Sequence, residues 1–333
     1  LSKTKSNLVA TLGKADSGKG LVLSGNTDTV PYDLERWTSD PFQLTEKGQG
    51  FYGLGTCDMK SFFAIVLEAV KNFNPKRFQA PLAIVATADE ESTMAGAKLL
   101  LEQGFAPGKY ALIGEPTSLR PVRMHKGVMM EAIRVQGMSG HSSNPALGAN
   151  ALEGMHRVLS ELIEWRTQLQ NENRNPMFEV DVPTLNFGLI RGGDSPNRIC
   201  ANCETWIDIR PLPGMDLNEL RNSLKRRLEN VLSDVDARLS LQIESLYEGL
   251  PAFETSADSP FVRACERLAG HLAGSVAFGT EAPYFSRLGM ETVVLGPGSI
   301  AQAHQADEYL AVDQIQPAIE LFQKLVHRIC LAD

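Results

Sequence analysis

Several acidic side chains and one histidine in this sequence are of the types that hold a metal ion and help it hydrolyse a bond. The carboxylates are Asp58, Glu90, Glu91 and Glu115, and His304 follows a Gly-Pro-Gly turn. Hydrolytic metal sites use a few His and carboxylate ligands that hold the ion and leave one position open for water. The set therefore indicates metal-assisted hydrolysis as the candidate chemistry.

Each of these residues also has an ordinary structural explanation. Asp58 precedes a predicted helix and could simply be its N-cap. A further histidine, His141 in Ser-Gly-His-Ser-Ser, could be a local turn residue. The other candidates could be solvated carboxylates or exposed loop side chains: Glu90, Glu91, Glu115 and His304. Taken one at a time, none of them decides the function.

Residues 7 to 118 alternate short apolar runs with helical patterns, which predicts an α/β domain with a mixed, mostly parallel central sheet. Each strand-like run ends in a polar cluster. Ligands of open α/β sheets bind beyond the carboxyl ends of the strands. We therefore expect three clusters to converge on one site: Asn26-Thr27-Asp28, Asp89-Glu90-Glu91 and Glu115.

From about residue 123 the pattern becomes strand, helix, strand, strand, helix, strand, which is the order of an α+β ferredoxin-like unit. After about residue 246 the α/β pattern returns, with helices predicted over 260–272 and 315–330. This order predicts a discontinuous catalytic domain, residues 1–122 and 246–333, with an inserted domain at 123–245. The chain starts at Leu1 without an initiator Met, so we expect N-terminal sequence to be missing.

Composition limits the partners of this 333-residue chain. The net charge is −8 and no dense basic cluster is interleaved with aromatics, which favours a small-molecule substrate over nucleic acid. No apolar stretch approaches the roughly 20 residues of a membrane span, so no membrane partner is predicted. Five cysteines, an odd number without disulfide spacing, favour a reducing, cytoplasmic compartment.

The order and context of the motifs resemble the M20 metallopeptidase family over essentially the whole chain. The matching stretches are Ser24 to Pro31, Tyr52 to Lys60, Ala86 to Ser92, Gly114 to Thr117, Ser139 to Ser143 and Gly296 to Tyr309. Further motifs look most like the branch that deacetylates Nα-acetyl-L-ornithine in arginine biosynthesis: His125 to Gly127, Asn197 to Cys200, Arg210 to Met215 and Gly279 to Pro283. Succinyl-diaminopimelate, other acylated amino acids and dipeptides stay open as substrates, because the site chemistry is shared.

The resemblance implies a role for each matched acidic or histidine residue. Asp58 would bridge two zinc ions, Glu91 and His304 would complete one site, and Glu115 would serve the other. Glu90 would be the general base that activates the attacking water and afterwards protonates the departing amine. One or two zinc ions per subunit are expected, and Co²⁺ can substitute for zinc.

The resemblance also implies how the substrate is bound. In a homodimer formed through residues 123–245, His141 would reach the neighbouring subunit's site and stabilise the oxyanion. Asn197 and Arg210 would hold the substrate α-carboxylate. The charge of Glu281 suggests contact with the ornithine side-chain amine. A structural ion pair is the alternative for both Arg210 and Glu281.

Position 26 departs from the family pattern. That pattern is His-x-Asp, in which the His is a metal ligand and the Asp, here Asp28, orients its imidazole ring. This chain has Asn26 instead. An amide oxygen is a harder and weaker zinc donor than imidazole, so the site of Asn26, Asp58 and Glu115 should bind zinc poorly. The chain could be a deacetylase working on one metal, a non-catalytic binding protein, or a substituted variant of an active enzyme. Because the other motif residues are present, we favour an enzyme.

Overall fold

The computed structural model describes residues 4–13 and 19–331. The chain divides into two compact units, which are described separately. Unit 1 comprises Leu1–Met124, Phe253–Ser275 and Thr280–Asp333, and unit 2 comprises His125–Ala252 and Val276–Gly279. Among the described residues, no helix combines the length and the apolar character that a membrane crossing requires.

The strands and helices that the sequence patterns predict are present in the predicted order, together with several short elements that were not predicted. The strands are β1 (Leu8–Leu12), β2 (Leu21–Asn26), β3 (Thr45–Lys47), β4 (Gly50–Tyr52), β5 (Leu82–Thr87), β6 (Tyr110–Ile113), β7 (Val122–His125), β8 (Val128–Gln136), β9 (Thr184–Gly192), β10 (Asn202–Arg210), β11 (Ser240–Leu250), β12 (Phe253–Glu254), β13 (Gly274–Val276), β14 (Glu291–Val294) and β15 (Tyr309–Ala311). The α-helices are α1 (Lys60–Val70), α2 (Ala95–Glu102), α3 (Ala151–Glu172), α4 (Leu217–Ser233), α5 (Pro260–Ala269), α6 (Ala282–Arg287) and α7 (Ile315–Cys330).

The sheet of unit 1 has the order β1-β5-β2-β6-β14-β7-β12, with β13 beside β7. Its four central strands, β5, β2, β6 and β14, run parallel to one another. β1 is antiparallel to β5, and β7 is antiparallel to β14. The prediction of a mixed, mostly parallel sheet is therefore confirmed.

Helices cover the central strands of unit 1, which explains why those strands are apolar on both faces. Leu21, Val22 and Leu23 of β2 are completely buried. Phe62 of α1 meets Phe322 of α7 edge to face, with ring centroids 5.4 Å apart. This packing makes the strands a rigid support for the loops at their carboxyl ends.

Unit 2 has the order β8-α3-β9-β10-α4-β11, and its antiparallel sheet has the order β11-β8-β10-β9. This is the ferredoxin-like arrangement that the sequence predicts. The two helices begin at Asn150 and Asp216, whose side chains accept backbone N–H groups as N-caps. β11 continues to Leu250, so the boundary of unit 2 lies at Ala252, later than residue 245.

A few local features differ from the sequence-based expectation. α5 ends at Ala269, not at residue 272, because Gly270 takes a left-handed conformation (φ 72°) and terminates the helix. The hairpin β3–β4 and the short helix α6 were not predicted, since strands of three residues and a helix of six carry little periodic signal.

Candidate metal centre

Five of the predicted site residues of unit 1 stand at the carboxyl ends of four neighbouring parallel strands or in the loops that follow them. β2 ends at Asn26, Glu90 and Glu91 follow β5, Glu115 follows β6, and the loop carrying His304 follows β14. These strands are adjacent in the order β5-β2-β6-β14. The structure therefore brings together the clusters that the sequence analysis expected to converge.

Three of these side chains form a group that fits a divalent cation. Nε2 of His304 lies 3.3 Å from Oδ2 of Asp58 and 3.3 Å from Oε2 of Glu91. One potential ligand atom from each of the three lies within 4.8 Å of the others. One imidazole and two carboxylates are a donor set that zinc accepts while keeping a position open for water. Asp58, Glu91 and His304 are the residues that would hold the ion.

The electrostatics of His304 show how strongly this position attracts positive charge. Hydrogen bonds to Asp58 and Glu91 raise the pKa of the imidazole to about 10. The backbone of His304 is left-handed (φ 59°), a conformation that is uncommon for a residue other than glycine and that tends to occur at functional sites.

Asp58 is not the N-cap of α1, which excludes the structural alternative for this residue. Met59 occupies the cap position, and no side chain caps the helix there. The Asp58–Met59 peptide bond is cis. The carboxylate of Asp58 is therefore not used in starting the helix, and it lies beside His304 instead.

The backbone around Asp58 is held by Glu308, a residue to which the sequence analysis gave no role. The Glu308 carboxylate accepts hydrogen bonds of 2.8 Å from the backbone N–H groups of Gly55, Cys57 and Asp58. Its side chain is buried, and burial raises its pKa. Glu308 lies within the motif stretch that carries His304, which was the available signal, but its contacts depend on the fold.

Asp28 holds the turn that carries Glu90 and Glu91. Its Oδ1 accepts a hydrogen bond from the backbone N–H of Glu90 (3.2 Å), and its Oδ2 accepts one from that of Glu91 (3.1 Å). The Asn26 amide nitrogen donates to the backbone oxygen of Asp28 at 3.3 Å and lies 3.5 Å from its Oδ1. Asp28 is therefore a positioning residue in this chain.

Glu90 is buried beside the three potential ligands without being one of them. Burial raises its pKa well above the ordinary value, and the negative charges of Glu281, Glu91, Asp58 and Asp28 add to the effect. A buried carboxyl group with a strongly raised pKa next to a metal-binding cluster is typical of an acid–base residue.

Glu281 lies near Glu90 and is 1% exposed. Its carboxylate is close to the hydroxyl groups of Thr87 and Ser24, but neither of its oxygens has a hydrogen-bond partner of good geometry among the described residues. Burial raises the pKa of Glu281 to about 7, and Asp28 adds to the shift. Glu281 thus lies near Glu90, and it forms no ion pair with any residue that the structure describes.

Glu115 completes the group of buried carboxylates. It lies close to Asp58, and its pKa is well above the ordinary range, first because of burial and then because of the charge of Asp58. Glu115 matches the family pattern, and Asn26 at the end of the neighbouring strand is the residue that departs from it.

His141 and Asn197 lie close together in unit 2. Nδ1 of His141 accepts the backbone N–H of Ser143 at 3.2 Å, so the ring proton belongs on Nε2, which then acts as a donor. The backbone oxygen of Asn197 accepts the N–H of Ser142 at 3.1 Å. These bonds fix the His141 loop, and the His141 ring is exposed.

Arg210, at the end of β10, is also in unit 2 and is partly exposed. Its Nε donates a hydrogen bond to Oδ2 of Asp208 at 2.9 Å. The ion pair that was the structural alternative for Arg210 is therefore present. It orients the guanidinium group.

The chain belongs to peptidase family M20/M25/M40, whose model matches residues 22–328. Among individual relatives, an acetylornithine deacetylase of Aliivibrio salmonicida is 49% identical over 330 residues, which cover 99% of this chain and 86% of that protein. An acetylornithine deacetylase of Yersinia pseudotuberculosis is 48% identical over 332 residues, which cover 99% of this chain and 85% of that protein.

Solved structures support the fold. The aminopeptidase PepT of Bacillus cereus matches with a TM-score of 0.73 at 19% identity, covering 96% of this chain and 83% of that one. The YXEP protein of Bacillus subtilis, described as a dinuclear metal-binding peptidase of the M20 family, matches with a TM-score of 0.68 at 15% identity, covering 96% and 84%.

Proposed function

We propose that this chain hydrolyses the amide bond of Nα-acetyl-L-ornithine to L-ornithine and acetate, a step of arginine biosynthesis. The observation that carries the proposal is the 49% identity over 330 residues with an acetylornithine deacetylase. The cluster of Asp58, Glu91 and His304 supports it, because it is suited to metal-assisted hydrolysis.

Asp58, Glu91 and His304 would hold Zn²⁺, and Co²⁺ can replace it. One imidazole and two carboxylates favour these ions over Mg²⁺ or Ca²⁺, which prefer oxygen donors alone. A divalent ion held there supplies Lewis-acid activation of the attacking water and of the scissile carbonyl.

Glu90 takes a proton from the attacking water and then delivers it to the departing amine. Both transfers need a carboxyl group that can hold a proton near neutral pH. The burial of Glu90 and its carboxylate neighbours favour the protonated form, which fits this requirement. Asp28 keeps Glu90 in place through its backbone N–H group.

Substrate recognition would involve His141, Asn197, Arg210 and Glu281. The exposed Nε2 donor of His141 suits an oxyanion, and it would act on the site of a neighbouring subunit. Asn197 and the guanidinium of Arg210, oriented by Asp208, would bind the α-carboxylate. Glu281 would act on the side-chain amine only through its effect on the charge of the site, because it is buried.

A homodimer through unit 2 is supported by the surface around β9. This strand lies at one edge of its sheet, where unpaired backbone groups can extend a sheet into a second copy. Ile190 on β9 and Ile163 on α3 are 56% and 45% exposed. These apolar side chains line a cavity of about 340 Å³ with Phe187. A second copy would cover them.

A reducing, cytoplasmic location and a small-molecule substrate complete the proposal, with neither nucleic acid nor a membrane as partner. All five cysteines are free thiols and are buried. Burial raises the pKa of Cys57 to about 12, which keeps this thiol protonated and unreactive.

The proposal is tested by measuring kcat/KM with Nα-acetyl-L-ornithine and with a panel of other substrates, after loading with Zn²⁺ or Co²⁺. The panel contains other N-acetyl amino acids, succinyl-diaminopimelate and a dipeptide. We expect the highest value for Nα-acetyl-L-ornithine. A higher value for another compound would reassign the substrate. Binding without turnover of any compound would favour a non-catalytic binding protein, the alternative that Asn26 raises.

A further inference from the structure

The side-chain oxygen of Asn26 is a buried hydrogen-bond acceptor for which the described residues supply no donor. Asn26 is 1% exposed, and its Oδ1 has no hydrogen-bond partner among the residues that the structure describes. A buried polar atom in this situation is unfavourable unless a ligand, water or ion satisfies it.

Asp28 determines which end of the Asn26 amide is left unpaired. The amide nitrogen donates to the backbone oxygen of Asp28 and lies next to its carboxylate. A flipped amide would place Oδ1 beside these oxygens, where two acceptors would repel each other. The nitrogen is therefore used on Asp28, and the oxygen is the atom that remains for a cation.

Asn26 and Glu115 stand at the same edge of the sheet, at the ends of neighbouring parallel strands. In the register of β2 and β6, Ser24 pairs with Ile113, and the backbone N–H of Gly114 donates to the oxygen of Ser24 at 2.9 Å. β2 ends two residues after Ser24, at Asn26, and Glu115 follows two residues after Ile113. Glu115 is buried close to Asp58, whose negative charge acts on it. Two neighbouring carboxylates and an unpaired amide oxygen thus stand at the same edge of the sheet as the ligand group of His304.

The donors at this second position differ from those at the first. Asn26, Asp58 and Glu115 provide oxygen atoms only, whereas Asp58, Glu91 and His304 provide an imidazole nitrogen as well. Carbonyl and carboxylate oxygens suit Mg²⁺, Mn²⁺ and Ca²⁺, whereas imidazole suits zinc and its neighbours in the transition series. A histidine at residue 26 would give both metal sites an imidazole ligand. Asn26 gives the second site an amide oxygen instead, so the two sites differ in their donor atoms.

We propose that this chain carries a heterometallic centre, with a zinc-type ion at Asp58, Glu91 and His304 and a hard divalent cation of the Mn²⁺ class at Asn26, Asp58 and Glu115. The inference rests on the proposed function, because it takes this centre to be the one that hydrolyses the substrate. Its test measures cation binding without substrate, so a failure of deacetylation and a failure of the heterometallic centre are separate results.

The experiment uses the full chain, stripped of metal and refilled with one equivalent of Zn²⁺. Mn²⁺ is then titrated in, and binding is followed by the loss of the free-ion signal in electron paramagnetic resonance. We expect one Mn²⁺ per subunit. The matched variants are Glu115→Gln, which should lose Mn²⁺ and keep Zn²⁺, and Glu320→Gln, an exposed acid on α7 that should behave as the parent chain.

Asn26→His provides the decisive comparison. The ratio of the Mn²⁺ to the Zn²⁺ dissociation constant at the second position should rise by at least ~10-fold in this variant, because imidazole favours zinc. The same ratio in both proteins would overturn the proposal. Unchanged Mn²⁺ binding in Glu115→Gln would also overturn the proposal, because the bound Mn²⁺ would then be an adventitious ion only. If Glu115→Gln does not fold, the ratio measured with Asn26→His decides alone.

Discussion

Glu308 accepts a 2.8 Å hydrogen bond from the backbone N–H of Asp58. The same carboxylate accepts the N–H groups of Cys57 and Gly55. Glu308 directly precedes β15, which pairs with β4, so the two loops that carry His304 and Asp58 are joined at their base. The distance between these two potential metal ligands is therefore set by backbone contacts and not by the ligands alone.

Glu308→Gln should weaken the centre without removing a ligand. The amide keeps one acceptor oxygen but turns a donor toward a backbone N–H group. We expect a loss of about 1–3 kcal/mol in the free energy of unfolding and a ~10–100-fold weaker Zn²⁺ affinity. Urea denaturation and a competition titration with a zinc indicator measure the two effects. Glu320→Gln is the control, and equal zinc affinity in both variants would show that Glu308 does not position Asp58.

Glu90→Gln should separate acid–base chemistry from metal binding. Because Glu90 is not part of the group formed by Asp58, Glu91 and His304, metal content should be unchanged. The kcat for the preferred substrate should fall by ~10²–10⁴-fold. The comparison variant Glu91→Gln should lose metal as well as activity. Turnover at the parent rate in Glu90→Gln would remove Glu90 from the role of general base.

A mixing experiment tests whether His141 serves the neighbouring subunit. His141→Ala and Glu90→Ala should each be nearly inactive as separate proteins. Subunits exchanged between the two would form dimers with one site that has both residues intact, and activity should return. The two variants are mixed at a range of protein concentrations, and turnover of the substrate is measured in each mixture. If mixing restores nothing although subunit exchange is demonstrated, His141 acts in its own subunit or not at all.

Glu281→Gln should change how stability depends on pH. The pKa of Glu281 rises from 4.5 to about 7 on folding, so the folded chain holds a proton that the unfolded chain releases. Between these pH values the free energy of unfolding should therefore fall as pH rises, and the full cost is present above pH 7. Glutamine has no such charge. The difference in stability between pH 5 and pH 8 should shrink by on the order of 2 kcal/mol in Glu281→Gln.

Urea denaturation at the two pH values, in the presence of a chelator, measures this difference. Chelation is needed because proton and metal binding compete at the neighbouring residues. Glu320→Gln should leave the pH dependence as it is in the parent chain. If Glu281→Gln shows the same pH dependence as the parent chain, the carboxyl group of Glu281 does not cause the loss of stability at high pH.

The order of apolar runs and turns was enough to predict both units. β2, β5 and β6 read as short apolar runs because helices cover them on both sides, and α3 and α4 read as helices from their periodic leucines. The resemblance to the family pointed to Asp58, Glu91 and His304 as ligands. The pattern of strand ends predicted that the clusters of Asn26, Glu91 and Glu115 converge, because parallel strands deliver their carboxyl ends to one edge of the sheet. The substitution at position 26 was also visible in the sequence.

The tertiary structure alone decided which of these groups touch. Three relationships join residues that are far apart in the chain: Glu115 lies close to Asp58, Glu281 lies close to Glu90, and Glu308 accepts the backbone N–H of Asp58. Such contacts depend on strand order, loop conformation and burial, and none of these has a periodic signature in the sequence. The unpaired oxygen of Asn26 is of the same kind, because only the fold shows that Asp28 takes the amide nitrogen and leaves the oxygen for a cation.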